Sequence, residues 1–371
     1  MMTHRQRILS VYRGETPDVV PYMLDLSHWY YHKFQQPWDL SRSYPEPEQQ
    51  LIDYHRRAGI GFYLVNLGSF YDVTFTDGVS ASVKRNGSKI TWTLETPLGT
   101  IRRSREWEES SYSWAISEFA LKTQNDLKVL AHALSHRRWT PAWDRYQKWV
   151  RAVGDQGVVY ISPGYSAMGE LLSLWMGIET TMLAVADYPE VLHEIADQIN
   201  AANLRCIDLL AQSPAEVVLL GDNFSSDIQS PRFFREWSRS YYAEAVKRLH
   251  KAGKHVAVHV DGRLRGLLRE FAEIGMDCID ATTPAPMGDI TPQQCRDEAG
   301  PNLILSGGVP PNVWTPDVSD EVFEKVVMDW LELKQRSPRL IANAGDQVPP
   351  GACEHRFVLM RELVEKFGRY S

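Results

Sequence analysis

Apolar residues along this chain come in short β-rich runs separated by longer segments of helical period. The runs fall at 20–26, 62–67, 158–162, 217–222, 256–261, 277–281, 303–307 and 340–344. Between them the spacing shifts from two to between three and four, as when strands alternate with amphipathic helices around a parallel sheet. Eight such strands are the number that closes a barrel. Ser230-Pro231 predicts a helix start and Gly253 its stop, with Phe234, Trp237, Tyr241, Ala245 and Leu249 on one face. Asp187 and Glu190 predict a capping box ahead of a stripe through Leu192, Ile195, Ile199, Ile207 and Leu210.

One stretch breaks the alternation. From 83 to 103 the period is two, with Asn86-Gly87 and Pro97-Leu98-Gly99 as turns. An antiparallel meander inserted after the second strand follows, within an insertion spanning about 72–130. No linker or repeat divides the chain, so residues 1–371 read as one α/β domain, a (β/α)8 TIM barrel with an inserted antiparallel meander.

Composition narrows the function. Forty basic against forty-seven acidic residues give a formal charge of −7, and no basic block favours a nucleic-acid partner. No apolar run reaches the ~20 residues of a membrane span, and the N-terminus lacks a signal peptide's apolar core. The four cysteines are scattered and contain no CxxC pair. A cytoplasmic protein acting on a small molecule is the expectation.

In barrels the chemistry gathers where strands end at the carboxyl side. There the sequence places Asp25 with Trp29, Asn66, Tyr165, Asp222 with Asn223, His259 with Asp261, Asp280, and Asn343 with Asp346. His259 and Asp261, two apart, point the same way on a strand. With Asp346 they could ligate a divalent metal, leaving positions open for water or substrate. They could equally form a metal-free hydrogen-bonded pocket. Asp222 and Asn223 read either as substrate ligands or as turn residues. Trp29 and Tyr165 read as pocket walls, and Asn66 and Asn343 as further substrate contacts. Ser306-Gly307-Gly308 could offer backbone N–H groups to an anion.

Several segments, in order, resemble the superfamily of uroporphyrinogen decarboxylase and the corrinoid-dependent methyltransferases. They are Gly14-Glu15-Thr16-Pro17-Asp18-Val19-Val20-Pro21, Tyr188-Pro189-Glu190-Val191, Ser230-Pro231-Arg232-Phe233-Phe234-Arg235-Glu236, the H-x-D-G of His259 to Gly262, and Val348-Pro349-Pro350-Gly351. The resemblance implies a (β/α)8 barrel, and it implies a homodimer as well. In the methyltransferase branch an H-x-C motif and a later cysteine bind zinc. The matching positions are His259, Asp261 and Asp346, so both cysteines are replaced by aspartate. The decarboxylases hold their substrate with arginines after the first strand, where this chain has Leu24-Asp25-Leu26-Ser27-His28-Trp29. Uroporphyrinogen is therefore a poor substrate. The leading expectation is metal-assisted methyl transfer, with zinc on His259, Asp261 and Asp346 and a corrinoid carried by a partner protein. The alternatives are a metal-free decarboxylase or lyase using His259 and the aspartates for proton transfer, and a barrel that only binds.

Overall fold

The computed structural model describes residues 1–36, 44, 46–64 and 70–370. Strands β1 (Met23–Leu24) and β2 (Gly61–Phe62) pair in parallel. An antiparallel region follows. In it β3 (Tyr71–Phe75) pairs with β8 (Arg137–Pro141). Between them β4 (Ser80–Asn86), β5 (Lys89–Thr96), β6 (Gly99–Glu108) and β7 (Ser113–Glu118) form a four-stranded antiparallel sheet. The chain then returns to parallel pairing with β9 (Val217–Phe224), β10 (His255–Val260), β11 (Cys278–Thr282), β12 (Ile304–Val309) and β13 (Leu340–Ala344), adjacent in that order.

Parallel bridges join the ends of this set. Phe62 bridges to Gly157, Ile161 to Val218, and Ala342 back to Tyr22. Neighbour-to-neighbour pairing thus runs in a ring through all eight segments read from the sequence. Among the described residues the run at 158–162 bridges only through Ile161, with Gly157 just before it, and residues 65–67 of the second run lie outside the described residues. The meander is present with both turns, Asn86 pairing with Lys89 and Thr96 with Gly99. Antiparallel pairing reaches beyond it on both sides, to 71 and to 141.

The helix beginning at Pro231 is capped by Ser230, whose Oγ accepts from the Phe233 N–H at 3.2 Å. It widens through a π-turn at Phe234–Ser238 and continues as Arg239–Lys251. The capping box expected at Asp187 does not form. Asp187 ends the preceding helix, Tyr188 takes the cap, and Pro189 opens the next one, where its missing N–H costs nothing.

Two apolar layers result. Helices pack on the outside of the sheet around residues such as Phe224, Phe271 and Trp330. Inside the ring a separate cluster holds Met23, Tyr63, Leu219, Ala257, Cys278 and Ile341. Strand alternation then dictates the next inward layer: two residues beyond Met23, Ala257, Cys278 and Ile341 come Asp25, His259, Asp280 and Asn343. The interior is apolar up to that level and polar above it, at the carboxyl ends.

Candidate active site at the carboxyl ends of the strands

Parallel register sets the centre of the site. His259 of β10 is directly paired with Asp280 of β11. Its Nδ1 lies 2.9 Å from Asp280 Oδ2, and the same oxygen accepts the Tyr63 hydroxyl at 2.6 Å. A carboxylate only accepts, so Nδ1 carries the proton. Burial opposes a charge on His259. Burial is the largest single effect, but the Asp280 hydrogen bond and the charges of Asp280, Asp346 and Asp261 together outweigh it, and the imidazole rises to about 9. His259 is therefore an imidazolium at neutral pH. Burial, with Asp280 next to it, keeps the Tyr63 phenol protonated as the donor. Asp280 is 1% exposed, and its Oδ1 is buried with no hydrogen-bond partner among the described residues. An unsatisfied carboxylate oxygen in such a place awaits a donor.

His259 lies between two cavities. One, of about 180 Å³, is lined by Asp25, Tyr63, Asp280, Asn343, Asp346 and Gln347 among others. The second, of about 370 Å³, is lined by Ser162, Gly164, Tyr165, Gly221 and Asn223. In the first, burial pushes the Asp346 carboxyl up to about 6, against the pull of His259 and with repulsion from Asp261 and Asp25. Its Oδ1 accepts from the Gln347 N–H at 2.7 Å. The pocket thus holds two titrating groups, one pushed to about 9 and one to about 6, the kind of pair from which an acid and a base can be drawn.

The remaining sequence candidates separate. Asn343 lines the smaller cavity, with its Oδ1 and Nδ2 bound to Ala344 N–H and Ser306 Oγ. Tyr165 and Asn223 line the larger one, Asn223 in the left-handed region at φ 51°. Asp222 is 1% exposed and turned away, holding the Ser166 N–H at 2.7 Å and the Ser166 hydroxyl. Burial raises its carboxyl to about 6 although Ser166 pulls it down. Trp29 is buried against Phe357 and donates to the Ala352 carbonyl at 3.2 Å, a core position. Asn66 lies outside the described residues.

The expected metal triad is not assembled. Among the described residues, no three His, Cys, Asp or Glu side chains are grouped so as to hold one ion. Asp261 follows the last residue of β10 and is exposed, and the β9–β10 register slips between Val258 and Val260. The extra residues of that slip are on β9, where Leu220 to Phe224 covers four steps against two on β10, so Asp261 is set apart by lying beyond the strand end in an exposed position. With Nδ1 held on Asp280, His259 could offer an ion only Nε2, after giving up its proton, and no second and third donor stand grouped with it among the described residues.

The glycine turn also has another purpose. A Cβ on Gly308, at φ 105°, would lie 2.2 Å from Trp330 Cδ2. Close packing of β12 on that indole is what requires the glycine.

Asp280 was visible in the sequence only as one of several polar residues at strand ends, and Tyr63 was not singled out. Both are found through the ring. Cross-strand register brings Asp280 beside His259, and the inward layer brings Tyr63 within reach.

A parallel sheet with helices outside it and titratable groups at its carboxyl ends defines an α/β protein with an enzyme-like site. The uroporphyrinogen decarboxylase (URO-D) family model matches residues 166–367, more than half of the chain. The chain belongs to that family, one of TIM-barrel enzymes, so membership implies an enzyme. Among solved structures, a methyltransferase from Methanosarcina mazei is similar over 99% of both chains, at 14% identity and a TM-score of 0.66. That likeness is one of fold. A structure titled L-Ala-D/L-Glu Epimerase overlaps 81% of this chain and 83% of its own at 10% identity, but at a TM-score of 0.30 its chain path is too different to inform the fold. No curated protein matches by sequence. Among the described residues, no helix is long and apolar enough to cross a membrane.

Proposed function

We propose that this protein is a (β/α)8-barrel enzyme catalysing proton transfer to a small-molecule substrate, of the carboxy-lyase type, with His259 as the acid. The observation that carries this reading is the His259 imidazolium, held on Asp280 with its Nε2 free of protein partners among the described residues. In such a reaction the bond to a carboxylate carbon breaks and carbon dioxide leaves. The electron pair stays on the substrate carbon, and His259 Nε2 delivers the proton to it. Asp346, near neutrality, returns a proton to the imidazole from solvent. The orphaned Asp280 Oδ1 accepts a hydrogen bond from the substrate.

Methyl transfer with a corrinoid-carrying partner is supported by the likeness to the Methanosarcina methyltransferase. Among the described residues no three donors are grouped to hold its metal.

The experiment is a metabolite panel screened by thermal shift, with hits incubated and analysed by mass spectrometry for loss of carbon dioxide. Turnover that survives chelation and is abolished in His259→Ala is the expected result. Turnover lost on chelation and restored by a divalent metal would overturn the reading.

A further inference from the structure

His259 divides the site into two cavities of unlike charge. The polar residues of the larger one, besides His259, are Ser162, Tyr165 and Asn223, and among the described residues no carboxylate lines it. The smaller is lined by Asp25, Asp280 and Asp346, three carboxyl groups facing one imidazolium. Asp25 and Asp280 are buried and Asp346 is half-buried.

The hydrogen-bond donors of the smaller cavity are already committed. The Tyr63 hydroxyl and His259 Nδ1 both go to Asp280 Oδ2. Asn343 Nδ2 donates to Ser306 Oγ at 3.3 Å, and Gln347 Nε2 to Ser27 Oγ at 3.0 Å. Acceptors are left over. Asp280 Oδ1 is buried with no partner among the described residues. Among those residues Asp346 receives one hydrogen bond, from the Gln347 N–H. Behind burial and the pull of His259, repulsion from Asp261 and Asp25 also bears on Asp346. A buried acceptor without a donor and carboxyl groups crowded together are both costly.

We propose that the smaller cavity binds a protonated amine of the substrate, whose N–H groups donate to Asp280 Oδ1 and to Asp346. The assignment rests on the His259 site being the substrate site and names the substrate class there, a small amine-bearing compound. A protonated amine relieves both costs at once, since it brings hydrogen-bond donors and positive charge together. A hydroxyl would bring a donor without the charge, and a quaternary ammonium the charge without a donor. At about 180 Å³ the cavity suits a head group of a few atoms.

The test uses the full chain at neutral pH, with binding followed by isothermal titration calorimetry. The probes are propylamine, propanol, propionate, tetramethylammonium and zinc chloride. Saturable binding of propylamine, and none of propanol or propionate, is expected. Asp346→Asn and Asp280→Asn should each weaken propylamine on the order of tenfold. Propionate or tetramethylammonium bound as tightly as propylamine, displacement of propylamine by a lower concentration of zinc, or affinity unchanged in both asparagine variants would each overturn the proposal. His259→Gln takes a competing cation out of the cavity wall and should bind propylamine at least as tightly, and a loss of binding there would count equally against the site. If propylamine binds as expected while turnover proves metal-dependent, only the proton-transfer reading falls. If turnover needs His259 and survives chelation while propylamine fails to bind, only the amine site falls.

Discussion

The charge on His259 can be tested by removing the group that hydrogen-bonds to it and does most to raise its pKa. Asp280→Asn keeps the size of the side chain and an oxygen that can accept from Nδ1, but removes the negative charge. In the unmutated protein the imidazole lies at about 9 instead of 6.5. At about 1.4 kcal/mol per unit this is roughly 3 kcal/mol of preference for the charged form. Burial alone would push the other way, so without Asp280 the pKa should drop to 6.5 or below. The stability consequence has a definite sign. A folded pKa above the unfolded one gives stabilisation that is complete below 6.5 and lost as pH rises through about 9. The unmutated protein should therefore melt at progressively lower temperature across that window, and Asp280→Asn should show little slope there. The direct assay is long-range proton–nitrogen NMR of the imidazole nitrogens, with His259→Gln to assign the signal among eleven histidines. A His259 signal titrating at or below 6.5 in the unmutated protein, or one unmoved by Asp280→Asn, would refute the reasoning.

Two further outcomes concern the support beneath the site. The Asp222 carboxyl, raised by burial to about 6, adds stability that is complete below 3.8 and lost as pH climbs through about 6. In urea titrations the deficit of Asp222→Asn relative to the unmutated protein should therefore shrink as pH rises through that range, and a deficit that grows would contradict the burial argument. Gly169 packs directly on the same carboxylate: a Cβ there would lie 2.1 Å from Asp222 Oδ1 and 2.4 Å from its Cγ. Gly169→Ala should cost about 1–3 kcal/mol through overpacking, measured by chemical denaturation, and an unchanged midpoint would show that the Ser166–Asp222 clasp is softer than it looks.

Alternation along the chain was enough to locate the eight ring segments, the meander and the level at which the ring turns polar. Those features depend on period alone, because a strand buried on both sides must be apolar and an exposed turn must bend. The H-x-D pair was legible too, but its meaning was not. Whether Asp261 points with His259 depends on where β10 ends, and no residue within the tripeptide records that. The partner that His259 takes lies twenty-one residues away on the next strand, and its second neighbour, Tyr63, nearly two hundred residues upstream. The sequence by itself determined which residues lie at the carboxyl ends, since that follows from local periodicity. Tertiary structure decided which of them touch, because hydrogen bonds and uncompensated charge depend on register and burial between segments distant in the chain.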